Sequence, residues 1–279
     1  MQSHFTVDGL PLHLRQWAID GHARGTLLIV HGLGEHIGRY EPLATHLNSR
    51  GWAVVGYDQR GHGASGGARG AIAAPDSLLG DLAGVIDAVR PAMPGPLLLL
   101  GHSMGGLLAA RFVAEALVQG KAPWWRPVDA LVLSSPALDP GMTLFQKALL
   151  ALLAPLAPNL ALGNGLNPAW VSRDAAVVRA YIADPLVHDR ITPRLARFIV
   201  DAGALVRERA PRWRVPTLLL YAGADRCVAP AGSAAFAAAA PPEVVTAQAF
   251  APLFHEIFNE PERAEVLAAL DAWLARFGQ

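Results

Sequence analysis

The sequence predicts an α/β fold, in which a mostly parallel sheet is flanked by helices. Short apolar runs alternate along the chain with longer segments of helical periodicity, as expected when a helix follows each strand. Several runs, such as TLLIV, LLLLG and TLLLY, are continuously apolar, which is typical of strands that are covered on both faces. The chain has 279 residues, 52% of them hydrophobic, so it is long enough for one large domain with a substantial core.

The individual elements follow from the same pattern. An N-terminal hairpin is predicted to turn at Asp8-Gly9. The later strands are predicted at 26–32, 52–58, 97–103, 130–136, 217–223 and 243–250, and the helices at 40–50, 75–89, 104–119, 231–239 and 261–277.

One segment, residues 137–214, breaks the alternation. It contains helical pieces and no convincing strand, and it is neither strongly charged nor of low complexity. We therefore predict that it is a helical insertion after the sixth strand, within a core formed by residues 1–136 and 215–279.

Composition excludes several classes of function. The net charge is +0, from 23 basic and 23 acidic residues, and no basic tract suggests a nucleic-acid partner. A single cysteine, Cys227, allows no internal disulfide and fits a reducing compartment. The N-terminus lacks the charged and apolar regions of a signal peptide, so we expect a cytoplasmic protein.

The segment LLLLGHSMGG supplies the main chemical signal. A serine in the pattern G-x-S-x-G, after a strand and before a helix, is typical of a nucleophile elbow. The glycines let the strand and the helix approach closely, so that the hydroxyl of Ser103 projects from the sheet. A serine hydroxyl is a weak nucleophile at neutral pH, and it needs a base that an acid orients.

Both partners are expected downstream, in the order serine, acid, histidine. Only His188 and His255 follow Ser103 in the chain, and His188 lies in the insertion. His255 follows the last predicted strand and Asp225 follows the strand before it, so both would reach the edge of the sheet where Ser103 lies. Backbone N–H groups of Leu33 and Met104 are the expected donors of an oxyanion hole.

Six segments together resemble the monoacylglycerol lipase and lysophospholipase branch of the α/β-hydrolases. They are HGLGEHIGRY, GYDQRGHGASGG, GHSMGG, YIADPLVH, GADRCVAP and FHEIFNEPE, and they cover nearly the whole chain. The resemblance implies the α/β-hydrolase fold, Ser103, Asp225 and His255 as the catalytic triad, and a cap formed by residues 137–214 over an acyl tunnel.

The resemblance also implies substrate-binding residues. Glu35 and Arg39 would lie near the glycerol end of the substrate, and Tyr181 near the leaving group. The alternative is that Glu35 and Arg39 form an ion pair that only braces their loop. Ala251-Pro252 departs from the Pro-Gly that is common in relatives, which leaves the path of the loop before His255 open.

Other motifs are discounted. GHGASG satisfies a dinucleotide-binding pattern, but no helix opens directly after it. His31, Glu35 and His36 lack the spacing of a metal site, and Cys227 is expected to be a small buried hydrophobe. We therefore expect neither a metal nor a cofactor.

The predicted function is hydrolysis of a monoacylglycerol to fatty acid and glycerol through an acyl-enzyme. A lysophospholipase or a general carboxylesterase would use the same chemistry on another alcohol, and a ligand receptor on the same fold is the non-enzymatic alternative. The oligomeric state is open.

The apolar stretch 144–162 is interrupted by Pro155 and Pro158 and is not expected to span a membrane. Its leucines, with Leu149, Leu150 and Leu153 as representatives, could instead contact a membrane surface or be buried within the insertion.

Overall fold

An eight-stranded sheet organises the molecule. The computed structural model describes residues 3–5, 8–17, 19, 21–93 and 95–277. The strands in chain order are β1 (Ser3–Phe5), β2 (Pro11–Trp17), β3 (Thr26–Val30), β4 (Ala53–Tyr57), β5 (Leu97–His102), β6 (Ala130–Ser134), β7 (Leu162–Gly163), β8 (Arg190–Ile191), β9 (Thr217–Ala222) and β10 (Val245–Phe250). All except β7 and β8 belong to the large sheet, whose order is β1-β2-β4-β3-β5-β6-β9-β10.

The strands pair antiparallel at one end of the sheet and parallel in the rest of it. β1 and β2 pair antiparallel, as do β2 and β4, whereas the neighbours from β4 to β10 are parallel. The residues of β3, β4, β5 and β6 are all buried, because helices cover both faces of the central strands. The edge strand β10 exposes its four central residues. The predicted parallel α/β sheet is thus confirmed.

Helices form a layer on each side of this sheet. The eight α-helices of the described chain are α1 (Glu41–Ser49), α2 (Ser77–Val89), α3 (Ser103–Ala114), α4 (Leu144–Leu156), α5 (Ala175–Ala183), α6 (Pro193–Arg209), α7 (Pro230–Ala239) and α8 (Arg263–Leu274). Apolar residues of α1 and α8 pack on one face, and those of α2, α3 and α6 pack on the other. The predicted helix 104–119 is shorter, because a 3-10 turn follows α3 at Glu115–Leu117.

The predicted insertion holds α4, α5 and α6, but it is not purely helical. β7 and β8 pair antiparallel through Leu162 with Ile191 and Gly163 with Arg190, two strands too short to show as a sequence pattern. Leu195, Phe198 and Val206 of α6 are buried in the same cluster as α3, whereas α4 buries Leu150 alone and α5 buries none. The division into a core and a cap stays a prediction. α6 packs against α3, a helix of the layer that covers the sheet.

The length and hydropathy of the helices decide whether one of them could span a membrane. None of the helices in the described residues is both long and apolar enough to cross a bilayer. α4 ends at Leu156, with Pro155 in its last turn.

The close packing of β5, α3 and β3 leads to a prediction on stability. A Cβ atom on Gly105 would lie 2.1 Å from the carbonyl oxygen of Val30, so Gly105→Ala must displace backbone. We expect a loss of about 1–3 kcal/mol or more, measured by thermal unfolding. In the matched control, Gly80→Ala, the new Cβ has nothing within 4 Å, and alanine in a helix interior is favoured by about 0.5–1 kcal/mol. Equal melting temperatures for the two variants would contradict this packing.

Candidate active site

Ser103 lies at a sharp turn between a strand and a helix. It follows β5 directly and begins α3, with a φ of +53° that is rare for a residue with a side chain. The turn is possible because its neighbours are glycines: a Cβ on Gly101 would lie 2.5 Å from the carbonyl oxygen of Gly105. The geometry matches the strained turn of a nucleophile elbow, which presents the hydroxyl at the end of the sheet.

His255 and Asp225 form a buried pair at the same edge of the sheet. The Nδ1 atom of His255 donates to Oδ2 of Asp225 over 2.7 Å. The backbone N–H groups of Cys227 and Val228 donate to Oδ1 of Asp225 over 2.8 and 3.1 Å, which fixes the carboxylate. Because a carboxylate only accepts, the proton of His255 lies on Nδ1, and Nε2 remains an acceptor.

The electrostatics of His255 suit a base that works near neutral pH. Burial lowers the pKa of this imidazole, but the charge and the hydrogen bond of Asp225 and the charges of Glu256 and Glu35 together outweigh burial, so the net shift is upward. The ring of His102, which precedes the serine, lies 4.7 Å from the ring of His255. Burial lowers the pKa of His102 to about 4, so that ring stays neutral.

The expected oxyanion donors lie beside Ser103. The loop of residues 31–36, called here the β3 loop, follows β3. Its Gly32 N–H donates to Oε1 of Glu35 over 2.6 Å, which leaves the N–H of Leu33 as the next donor along the loop. Met104 is the second residue of α3, where N–H groups have no partner within a helix. Leu33, Ser103 and Met104 line one cavity.

Two cavities meet at Ser103. The smaller, of about 220 Å³, is lined by apolar residues such as Val171, Ile182 and Val187 and by four carboxylates, from Glu35, Asp184, Asp189 and Glu256. The larger, of about 500 Å³, is lined mainly by apolar residues that include Met104, Met142, Trp170, Ile199 and Val228. Both cavities border Leu33, Ser103 and Cys227, so the serine lies where a cavity with four carboxylates joins a cavity whose described lining has none.

The structure places Glu35 and Arg39 in a buried network. Arg39 donates to Oε2 of Glu35 over 2.8 Å, and the hydroxyl of Tyr40 donates to Oε1 over 2.7 Å. Burial alone would raise the pKa of Glu35, but the charge of Arg39 lowers it to about 2. These contacts are those of an ion pair that braces the β3 loop, which was the alternative to a substrate-binding role. Glu35 nevertheless also lines the smaller cavity.

Tyr181 also lines the smaller cavity, and its ring lies 4.7 Å below the guanidinium carbon of Arg39. The substrate-binding role of Glu35, Arg39 and Tyr181 stays a prediction.

Donor atoms of Asp225, Cys227 and His255 lie within 4.8 Å of one another, a spacing that could suggest a metal site. The carboxylate and the imidazole, however, are already bonded to each other. Burial and the charge of Asp225 raise the pKa of the Cys227 thiol, so it is a poor metal ligand and a poor nucleophile.

One residue at the site was missed by sequence reasoning. Glu256 lines the smaller cavity and binds Arg39 through both carboxylate oxygens. Its only signal in the sequence is its place directly after His255, and nothing local connects it with an arginine 217 residues earlier.

The chain is similar to known hydrolases over most of its length. A family model described as serine aminopeptidase, S33, matches residues 21–262. The monoacylglycerol lipase of Mycolicibacterium smegmatis is 34% identical over 274 residues, 96% of this chain and 94% of that protein. Phospholipase YtpA of Bacillus subtilis is 31% identical over 255 residues, 90% and 95% of the two chains. The crystal structure of a monoacylglycerol lipase from Paleococcus ferrophilus has a TM-score of 0.84 and 34% identity, and the match covers 95% of this chain and 98% of that one.

The bond between Asp225 and His255 leads to a prediction. In Asp225→Asn the amide can donate to Nδ1 and so stabilise the wrong tautomer, in which Nε2 carries the proton and cannot accept another. We expect the turnover of a nitrophenyl ester to fall by about 10⁴-fold. Asp201→Asn removes an exposed carboxylate paired with Arg197 and should leave turnover unchanged. A loss below about tenfold for Asp225→Asn would mean that another group orients His255.

Proposed function

The chain belongs to the serine aminopeptidase S33 family of hydrolases, and we propose that it cleaves the ester bond of monoacylglycerols to fatty acid and glycerol. It is a carboxylic ester hydrolase by its relatives, and its site contains the serine, histidine and aspartate that such chemistry requires.

The proposed reaction has two halves. His255 accepts the proton of Ser103 through Nε2 while the serine oxygen attacks the ester carbonyl, and Asp225 stabilises the imidazolium. The N–H groups of Leu33 and Met104 stabilise the oxyanion. The C–O bond to glycerol then breaks, and His255 gives its proton to the departing alkoxide. Water, deprotonated by the same histidine, attacks the acyl-enzyme; the acyl–serine bond breaks, the fatty acid leaves, and His255 returns the proton to the oxygen of Ser103.

The two cavities supply the orientation of the substrate. The larger cavity, which has no carboxylate in its described lining, suits a fatty-acyl chain, and the carboxylates of the smaller cavity can accept hydrogen bonds from glycerol hydroxyls. Ser103 borders both, which places the scissile ester at their junction.

The charge of the smaller cavity favours glycerol over a phosphorylated alcohol, and this observation carries the proposal. Four carboxylates line it, from Glu35, Asp184, Asp189 and Glu256, and the described residues that line it include no lysine or arginine. Arg39 pairs with both Glu35 and Glu256, and Arg190 pairs with Asp189. Two arginines thus face four carboxylates, so the charge of the cavity stays negative. A phosphate group is bound in proteins by cations and N–H donors, and carboxylates would repel it. The similarity to a phospholipase keeps lysophospholipids as the second candidate substrate class.

The test combines labelling with a substrate comparison. A fluorophosphonate should label the wild-type protein and not Ser103→Ala, and this variant should lose about 10⁴–10⁶-fold in turnover of monooleoylglycerol. The value of kcat/KM for monooleoylglycerol should exceed that for oleoyl lysophosphatidic acid by at least about 100-fold, because the carboxylates oppose the phosphate.

Three results would point elsewhere. Faster cleavage of the lysophospholipid would favour a lysophospholipase. Equal cleavage of many unrelated esters would favour a general carboxylesterase. Absence of labelling together with tight lipid binding would favour a receptor.

We further propose that α4 brings the protein to its lipid substrate by peripheral contact. Phe145, Leu149, Leu152 and Leu156 follow a helical spacing that places them on one face, and they are 76%, 41%, 57% and 74% exposed. α4 begins at the rim of the larger cavity, which is lined by Thr143 and Gln146. An apolar face beside the mouth of an acyl cavity is suited to the headgroup region of a membrane.

Exposure decides which leucines test this contact. Leu150 is only 8% exposed and Leu153 is half-buried. Of the three leucines chosen from the sequence, only Leu149 therefore belongs to the exposed face of α4. We expect the triple variant Phe145→Glu, Leu152→Glu and Leu156→Glu to bind phosphatidylcholine vesicles at least about tenfold more weakly in co-sedimentation. Its turnover of a water-soluble nitrophenyl ester should not change.

A matched control adds the same charge elsewhere. Ala234→Glu, Ala235→Glu and Ala238→Glu place three carboxylates on exposed positions of α7. This control should bind vesicles like the wild type. If both triple variants lose binding equally, added negative charge explains the loss and α4 is not the docking surface.

A further inference from the structure

Glu256 connects the loop of the base to Arg39, a buried arginine beside the site. It follows His255 in the loop of residues 251–256, called here the β10 loop. Both oxygens of its carboxylate accept from Arg39, Oε1 from NH1 over 2.6 Å and Oε2 from NH2 over 2.8 Å. Their side chains are only 6% and 11% exposed. This is the two-pronged geometry in which arginine and a carboxylate hold each other most rigidly.

Arg39 is also hydrogen-bonded to the β3 loop, through Glu35. NH1 also donates to Oε2 of Glu35 over 2.8 Å, and Oε1 of Glu35 accepts the Gly32 N–H over 2.6 Å. Gly32 is the residue before Leu33. An unbroken chain of short hydrogen bonds therefore runs from the neighbour of His255 to the neighbour of the expected oxyanion donor.

We propose that Glu256, Arg39 and Glu35 form a buried tether that sets the position of His255 relative to the N–H of Leu33, so that Glu256 is a positioning residue of ester hydrolysis. This inference rests on the proposed function, because it assigns the base to His255 and an oxyanion donor to Leu33. The tether joins two loops that share no strand pairing, since β3 and β10 are separated in the sheet by β5, β6 and β9.

Energetics favour a positioning role over a purely stabilising one. Burial of charged groups is costly, and a buried ion pair contributes little net stability compared with apolar packing. What such a pair gives is one defined geometry. A misplacement of about 1 Å in an active site can cost about 100-fold in rate, so the position of the β10 loop relative to the β3 loop matters directly.

Glu256 also contributes charge to the surroundings of His255. The charged and titratable groups that face His255 are Asp225 and Cys227 after β9, His102 at the end of β5, Glu35 and Arg39 after β3, and Glu256 beside it. The charges of Asp225, Glu256 and Glu35 all raise the pKa of His255, against the effect of burial. Loss of the Glu256 charge must therefore lower that pKa.

The test is Glu256→Gln, an isosteric change that removes the charge and weakens the bond to Arg39. We expect kcat for monooleoylglycerol to fall by about 10–100-fold while KM changes by less than about threefold. The acidic limb of the pH profile of kcat/KM reports the base of the free enzyme, so it should move to lower pH. Rates are expressed per active site, titrated with a fluorophosphonate, so that misfolded protein does not count.

Arg39→Lys separates geometry from charge. Lysine keeps the positive charge but cannot bridge two carboxylates with a planar fork. We expect kcat to fall as in Glu256→Gln while the acidic limb stays at the wild-type pH. Glu265→Gln changes an exposed carboxylate of α8 and should leave both kcat and the pH profile unchanged.

The outcomes are distinct. A kcat within about twofold of the wild type for either Glu256→Gln or Arg39→Lys overturns the tether. A wild-type protein that neither reacts with the fluorophosphonate nor cleaves the ester overturns the proposed function instead.

Discussion

The turn at Ser103 is the constraint on which the site depends. A residue with a φ of +53° between β5 and α3 is tolerated only because the glycines around it let the helix rest on neighbouring strands. A Cβ on Gly105 would lie 2.1 Å from the carbonyl oxygen of Val30 and 2.3 Å from that of His31. The start of α3 is therefore pressed against the end of β3. The contact that lifts the serine out of the sheet also fixes the distance to the loop that carries Leu33.

The helical region between β6 and β9 is pinned to this same loop. The N–H of His188 donates to the carbonyl of Gly34 over 2.8 Å, and Asp184 bonds to His36 over 2.8 Å. On the other side of the serine, the N–H of Glu256 donates to the carbonyl of Val171 over 2.8 Å. The segments that close the smaller cavity are thus hydrogen-bonded to the β3 loop and the β10 loop, which would carry the oxyanion donor and the base. A displacement of this region would change the shape of the cavity and the positions of those loops together.

Local sequence signals were enough for the parts of the site that depend on one strand and the residues after it. Ser103, Asp225 and His255 each follow a strand of the parallel sheet, and the sheet brings their loops to one edge. The bond between Asp225 and His255 was expected in this way, and the structure shows it. The fold class follows from the same apolar runs, which are strong because both faces of the central strands are buried.

Features that depend on packing between distant segments could not be predicted. Glu256 and Arg39 lie 217 residues apart, and the sequence around either residue gives no indication that the two form a pair. The orientation of α4 is a second case. Its sequence is apolar on nearly every side, so periodicity does not reveal that Leu150 turns inward while Leu152 faces solvent. The short pairing of β7 with β8 has no residue pattern of its own, since two residues cannot establish an alternation.

The histidines around the site show how burial and charge assign roles to identical side chains. Burial lowers the pKa of His31 and His62, and it lowers the pKa of His102 and His188 to about 4. These rings are neutral at physiological pH, and each has a ring nitrogen within hydrogen-bond distance of a backbone carbonyl. Burial acts on His255 in the same direction, but the carboxylates of Asp225, Glu256 and Glu35 together reverse its effect. Among these five histidines, His255 is the one hydrogen-bonded to a carboxylate and the one whose pKa is raised, as the proposed role of general base requires.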